Sequence, residues 1–244
     1  MDPMNEAQTN LEALRKNPYP GRGIVVGMDE TGKYIIQVCW IMGRSDNSRN
    51  RVYDHNYRGH VFTEAADPSK MKDPSLIIYN AMDECGDCYA VSNGKQTDDV
   101  VERADIEGLL NVLKAEDYIY EPDKPNFTPR ITAITRLDEL PHTEIAILAK
   151  SRWGDECDRY FYEYDRHFPG LGFCLTTYTS DGNPLPPFRG EPYLLPLIGD
   201  WETAADTLWA ALDPDNRVAL AIKMINIKSG VSEIDITNRF RKVA

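Results

Sequence analysis

The chain is poor in the residues from which metal and redox sites are usually built. Its four histidines, at 55, 60, 142 and 167, show no metal-ligand spacing. Its five cysteines, at 39, 85, 88, 157 and 174, are odd in number and scattered, which suits reduced thiols in a cytoplasmic setting better than a disulfide framework. Cys85-Gly86-Asp87-Cys88 has the CxxC form but falls in an expected hairpin turn, whereas a redox dithiol belongs at a helix start. No apolar run approaches the length that spans a bilayer, and MDPMNEAQTNLEALRKN lacks the basic and apolar regions of a secretory signal. There is no G-x-S-x-G elbow and no Walker-type loop. Positive charge is scarce too: 27 Lys and Arg against 39 Asp and Glu leave a formal net charge of −12. That excludes non-specific binding to nucleic acid or to an anionic membrane, so an anionic substrate needs a local cluster of Arg or Lys.

What is present is a chain of 244 residues, 42% hydrophobic and 27% charged, long enough to bury a real core. Residues 5–16 have weak helical character and read, within 1–18, as an N-terminal extension laid on a single domain spanning 19–244. From Tyr19 the pattern is hairpins: IVVGM, a turn at Asp29–Gly32, then the buried run YIIQVCWIMG. Residues 44–60 read as a polar loop. The central stretch predicts a strand over Leu76–Met82, a turn at Glu84–Asp87, a strand over Cys88–Ser92, and a helix from Thr97 to about Ala115 with an imperfect turn at Gly108. Strands follow near 130–136 and 143–150, then an elaborated, proline-rich region near 151–196, a helix over Trp201–Leu212, and a closing hairpin. Many hairpins with two major helices predict an α+β fold with sheets packed face to face.

Two groupings stand out. Tyr79 and Asn80 interrupt an apolar strand, and Ser92-Asn93-Gly94 closes the next strand where a helix begins. Arg44, Arg49 and Arg51 crowd the segment leaving a buried strand, and their guanidinium forks match phosphate or a polarised carbonyl oxygen.

In order along the chain, Gly21–Gly27, Arg44-Ser45 with Arg49, Asp73–Asn80, Val91–Gly94 with Thr97-Asp98, Asp117-Tyr118, and Thr128–Ile131 leading to Ala133 resemble the archaeal-type IMP cyclohydrolase family over residues 19–150. The resemblance implies a four-layer αββα sandwich like that of N-terminal nucleophile (NTN) hydrolases, without the autocatalytic nucleophile. Gly23 precedes Ile24 here, not a Cys, Ser or Thr. The implied reaction closes 5-formamidoimidazole-4-carboxamide ribotide to IMP and water, with no metal or redox cofactor. A purine ribotide is then the small-molecule partner, and a homo-oligomer is expected. Carried over by motif, Arg49 would polarise the formyl or carboxamide oxygen and Tyr79 would orient substrate and relay a proton. Glu121, or Asp123 after a short shift, would be the acid/base. Asn80, Asn93, Thr97, Asp98 and Arg130 would bind or support, and Arg22, Arg44 and Arg51 are phosphate candidates on charge grounds. The extension and the 151–196 region depart from the compact family pattern. Two other readings stay open: a related amide hydrolase, and a non-catalytic purine-nucleotide binder.

Overall fold

Apolar alternation in the central strands produces two antiparallel sheets, each with one face turned to the other sheet and one to helices. The computed structural model describes residues 2–137 and 141–242. They form helices α1 (Pro3–Lys16), α2 (Asp46–Arg49), α3 (Gln96–Glu107), α4 (Leu109–Ala115) and α5 (Trp201–Ala211). The first sheet holds β1 (Gly23–Met28), β2 (Tyr34–Met42), β10 (Leu171–Thr176), β11 (Tyr193–Pro196), β12 (Arg217–Asn226) and β13 (Ser232–Asn238), in the order β11-β10-β1-β2-β12-β13. The second holds β3 (Arg51–His55), β4 (Val61–Ala65), β5 (Asn80–Cys85), β6 (Cys88–Ser92), β7 (Arg130–Leu137), β8 (Pro141–Lys150) and β9 (Cys157–Tyr164), in sequence order.

Three apolar cores set the layering. Ile24, Ile35 and Ile41 of the first sheet meet Val61, Val91 and Ile131 of the second in the middle. Outside the first sheet, Leu11 and Leu14 of α1 and Leu208 of α5 pack on Val38 and Leu220. Outside the second, Val100, Ala104 and Leu113 of α3 and α4 pack on Ala90, Ile134 and Ala146. The arrangement fits an α+β sandwich with helices on both outer faces.

Polar contacts also join the sheets near their ends. At one end Lys223, fully buried in β12, donates to Glu84 Oε2 of β5 at 2.8 Å, and Ser232 donates to the same oxygen. Beside it Gln37 Nε2 of β2 donates to the Tyr89 carbonyl of β6. At the opposite end Arg22, just before β1, reaches Asn93, just after β6.

The structure differs from the sequence reading in three places. The segment 44–60 is not a loop: it contains α2, capped by Ser45, and β3, whose Val52 and Tyr53 are buried. Strand β5 starts at Asn80, because the amides of Ile77 and Ile78 turn back to the Pro74 carbonyl, although Tyr79 still exchanges hydrogen bonds with Thr63. The helix from Thr97 divides at Gly108, whose φ of +78° ends α3, and Glu144 caps Leu109 N at the start of α4.

Candidate active site

Several polar residues gather at the end of the sandwich where β1, β3, β5 and β7 begin and β2, β6 and β10 finish. Gly21, with φ of +75°, turns the chain into β1 so closely against Thr177 that a Cβ would lie 2.1 Å from its hydroxyl oxygen. Arg22 follows and points between the sheets. Its Nη1 donates to the Asn93 carbonyl at 2.8 Å and to Glu121 Oε1 at 3.0 Å, while Nη2 donates to Glu121 Oε2 at 2.5 Å. Burial alone would weaken the Arg22 charge, but the paired carboxylate outweighs it and holds the guanidinium well above its ordinary pKa.

Glu121 is 2% exposed, fixed through its backbone N–H to the Thr128 carbonyl. On its other side stands Arg130, with Nη1 3.8 Å from Glu121 Oε1 and 3.0 Å from Gln96 Oε1, and its guanidinium over the Tyr118 ring. Gly94 makes room for this group, since a Cβ there would meet Arg130 Nη1 at 2.7 Å. Asp123, the alternative acid, is spent on its own loop, accepting from the Thr128 amide and hydroxyl.

Two adjoining cavities, of about 350 and 410 Å³, share Asp73, Leu76 and Glu121 in their walls. The first also carries Arg22, Arg44, Arg51, Ser45 and Ser48, with Tyr19 and Tyr178 as its aromatic side. Arg51 is 3% exposed and donates to the carbonyls of Ser48 and Met42, with no carboxylate partner among the described residues. Burial lowers its pKa, yet a guanidinium remains charged at neutral pH. Arg44 pairs with Asp181 and lies over Tyr19. The second cavity carries Tyr79, Gly94, Lys95 and Arg130. Burial pushes the Tyr79 phenol up, and Arg22 and Arg51 oppose this only in part, so its hydroxyl keeps its proton at neutral pH.

The structure therefore brings Arg22, Arg44, Arg51, Tyr79, Glu121 and Arg130 together in the cleft walls, with Asn93 supporting Arg22 and Ile131. It does not bring Arg49 there: its guanidinium donates to the Gly43 carbonyl and Asn216 Oδ1, on the other side of α2. Asn80 and Asp98 bind each other at 2.7 Å and line neither cavity. Thr97 is buried against Ser92 and the Gly94 carbonyl, where it shapes the turn. Tyr19, Tyr178 and Ser48 also line the cleft, and nothing in the sequence points to them; Ser45 lines it too, as part of the Arg44-Ser45 motif but with no role expected of it.

Metal-ligating types converge elsewhere. His142, Glu163 and Asp165 have ligand atoms within 4.8 Å of one another, where β8 starts and β9 finishes, away from the cleft. Cys85 and Cys88 face each other across the β5–β6 turn, and burial pushes the Cys88 thiol up to about 12, contrary to the activated thiolate of a redox pair.

Among curated proteins none matches the chain. The sequence model of the IMP cyclohydrolase-like protein family does, over residues 19–230, continuing past residue 150, where the ordered motifs stop, through the proline-rich region and into the turn after β12. With so much of its length covered, the chain belongs to the IMP cyclohydrolase-like protein family.

Proposed function

We propose that the protein is an IMP cyclohydrolase, closing 5-formamidoimidazole-4-carboxamide ribotide to IMP with loss of water. The observation that carries this reading is Glu121, a buried carboxylate clamped by Arg22 where the two cavities meet. Both volumes are of the order of small-molecule sites, roughly 300–1,000 Å³. The ribotide phosphate goes to Arg51 and Arg44 with the Ser45 and Ser48 hydroxyls. The imidazole with its two arms lies in the second cavity.

The carboxamide nitrogen attacks the formyl carbon, forming the C–N bond and moving charge to the formyl oxygen. Arg130, in the wall of the second cavity, stabilises that oxygen without reorganising, with the Arg22 charge behind Glu121 adding to the positive field. Glu121 takes the proton leaving the carboxamide nitrogen, and Tyr79, still protonated, passes one to the oxygen to give a carbinol hydroxyl. Glu121 then returns its proton to that hydroxyl as the C–O bond breaks and water departs, while the formamido nitrogen gives its proton back to Tyr79 and the C=N bond forms. Holding both arms in one cleft makes the attack intramolecular, worth up to about 7–11 kcal/mol of barrier in favourable cases. Arg51, not Arg49, supplies the guanidinium of the α2–β3 segment in this reading. The finer fold assignment, an NTN-hydrolase-like sandwich lacking the nucleophile, is supported by the helix-flanked sheets and by Gly23-Ile24 at the head of β1. A cytoplasmic homo-oligomer completes the reading.

The test is an absorbance assay of IMP formation from the formamido ribotide without added metal. Turnover that falls at least a hundredfold in Tyr79→Phe and Arg51→Ala supports it. Arg49 lying outside the cleft favours one second reading, a non-catalytic purine-nucleotide binder. Folded protein that binds IMP without turnover would establish that instead; neither binding nor turnover would remove both.

A further inference from the structure

The far side of α2 walls a separate cavity of about 750 Å³, closed by the 66–72 segment and by the residues after β13. Five of its side chains are basic (Arg49, Lys70, Lys72, Arg239 and Arg241) against two acidic ones, Asp46 and Asp67, in a chain whose formal charge is −12. One of the acids is already used: Asp67 pairs with Lys70 at 2.9 Å and accepts from Ser69. Arg49 and Arg239 are fixed by neutral oxygens, the first by the Gly43 carbonyl and Asn216, the second by the carbonyls of Pro214 and Asp215. Such bonds hold a guanidinium in place and leave its charge uncompensated. Lys72 and Arg241 have no carboxylate partner among the described residues. Phe240 adds an apolar wall, with Arg239 over its ring at 5.4 Å.

An acidic chain repels anions at long range, so a local reversal of sign around a concavity is what an anionic ligand needs. We propose that this cavity is a second anion site, taking a small molecule with a phosphate or diphosphate group between Lys72, Arg239 and Arg241. The two cavities touch through α2, and Asn47 is the one residue found in both walls. The site does not depend on the reaction performed in the cleft.

The experiment is calorimetric titration of the full chain with inorganic pyrophosphate at fixed salt. Four proteins are compared: wild type, Lys72→Ala/Arg241→Ala, Arg51→Ala, and Lys33→Ala/Lys228→Ala as a control removing two exposed charges elsewhere. Circular dichroism confirms that each is folded. The expected result is measurable binding to wild type, at least tenfold weaker at this site in Lys72→Ala/Arg241→Ala, unchanged in the Lys33/Lys228 control, and in Arg51→Ala reduced only by whatever the cleft itself contributes. Absence of binding to wild type, wild-type affinity in Lys72→Ala/Arg241→Ala, or equal weakening in the Lys33/Lys228 control overturns it. Complete loss in Arg51→Ala also overturns it, by assigning all of the pyrophosphate to the cleft.

Discussion

Arg51 and Arg22 are both buried guanidinium groups, but the fold treats them differently. Arg51 spends its donors on backbone carbonyls, whereas Arg22 makes both direct hydrogen bonds to a buried carboxylate whose other cation, Arg130, stands farther off at 3.8 Å. Removing a charge that lacks an opposite partner relieves the fold; removing one half of a buried pair strands the other. Arg51→Met is therefore expected to leave thermal stability unchanged or raised while weakening IMP binding at least tenfold. Arg22→Met should cost about 3–5 kcal/mol in urea denaturation, by stripping Glu121 of its two direct hydrogen bonds and leaving only the longer Arg130 contact. His167 gives a pH signature. Burial, with some help from nearby His142, lowers its pKa to about 4 from 6.5, and its Nε2 shares a hydrogen bond with Thr143. Since the unfolded chain binds the extra proton first, stability falls as pH drops from 6.5 towards 4. Replacing it by His167→Gln should remove about 2 kcal/mol of the loss between pH 7 and pH 5, read by urea melts.

At the level of elements, what was legible followed alternation and turn chemistry. The β1–β2, β5–β6 and β12–β13 hairpins announce themselves by apolar runs on either side of glycine-containing turns. The α2–β3 segment does not: its seventeen-residue neighbourhood at 44–60 is polar, and only Val52 and Tyr53 reveal an inward face. The same segment explains why the cleft was only half legible. Three arginines within eight residues mark a cationic site, but a helix turn followed by a strand start sends Arg49 and Arg51 to opposite sides, and spacing alone carries no such direction. Glu121 lies in an irregular segment, and it meets Arg22 across 99 residues of chain, a pairing that no local pattern announces. The break between α3 and α4 makes its own prediction. Gly108→Ala must place a Cβ at φ of +78°, and should lower stability by about 1–2 kcal/mol in thermal or urea melts, without changing turnover.

Across the whole molecule, each of the three cores holds one buried thiol: Cys39 between the sheets, Cys174 under α1 and α5, and Cys88 under α3 and α4. Burial pushes all three up to about 12 from 9.0. Their contribution is complete below pH 9 and is lost as pH rises towards 12, so every layer weakens together. Urea midpoints should fall steadily above pH 9, with each thiol contributing about 1.4 kcal/mol per pH unit, and a Cys174→Ala variant should show a shallower slope.

The Lys223–Glu84 contact has one more consequence. It fastens the sheets at the end away from the cleft, while the cleft end is fastened by Arg22, the group a bound anion or a reacting oxygen would compete for. The two sheets thus resemble a hinge with a permanent pin at one end and a latch at the other. Amide hydrogen exchange should be graded along the strands, slowest around Lys223 and Glu84 and faster around Asn93, and saturating IMP should slow exchange at the cleft end while leaving the pinned end unchanged.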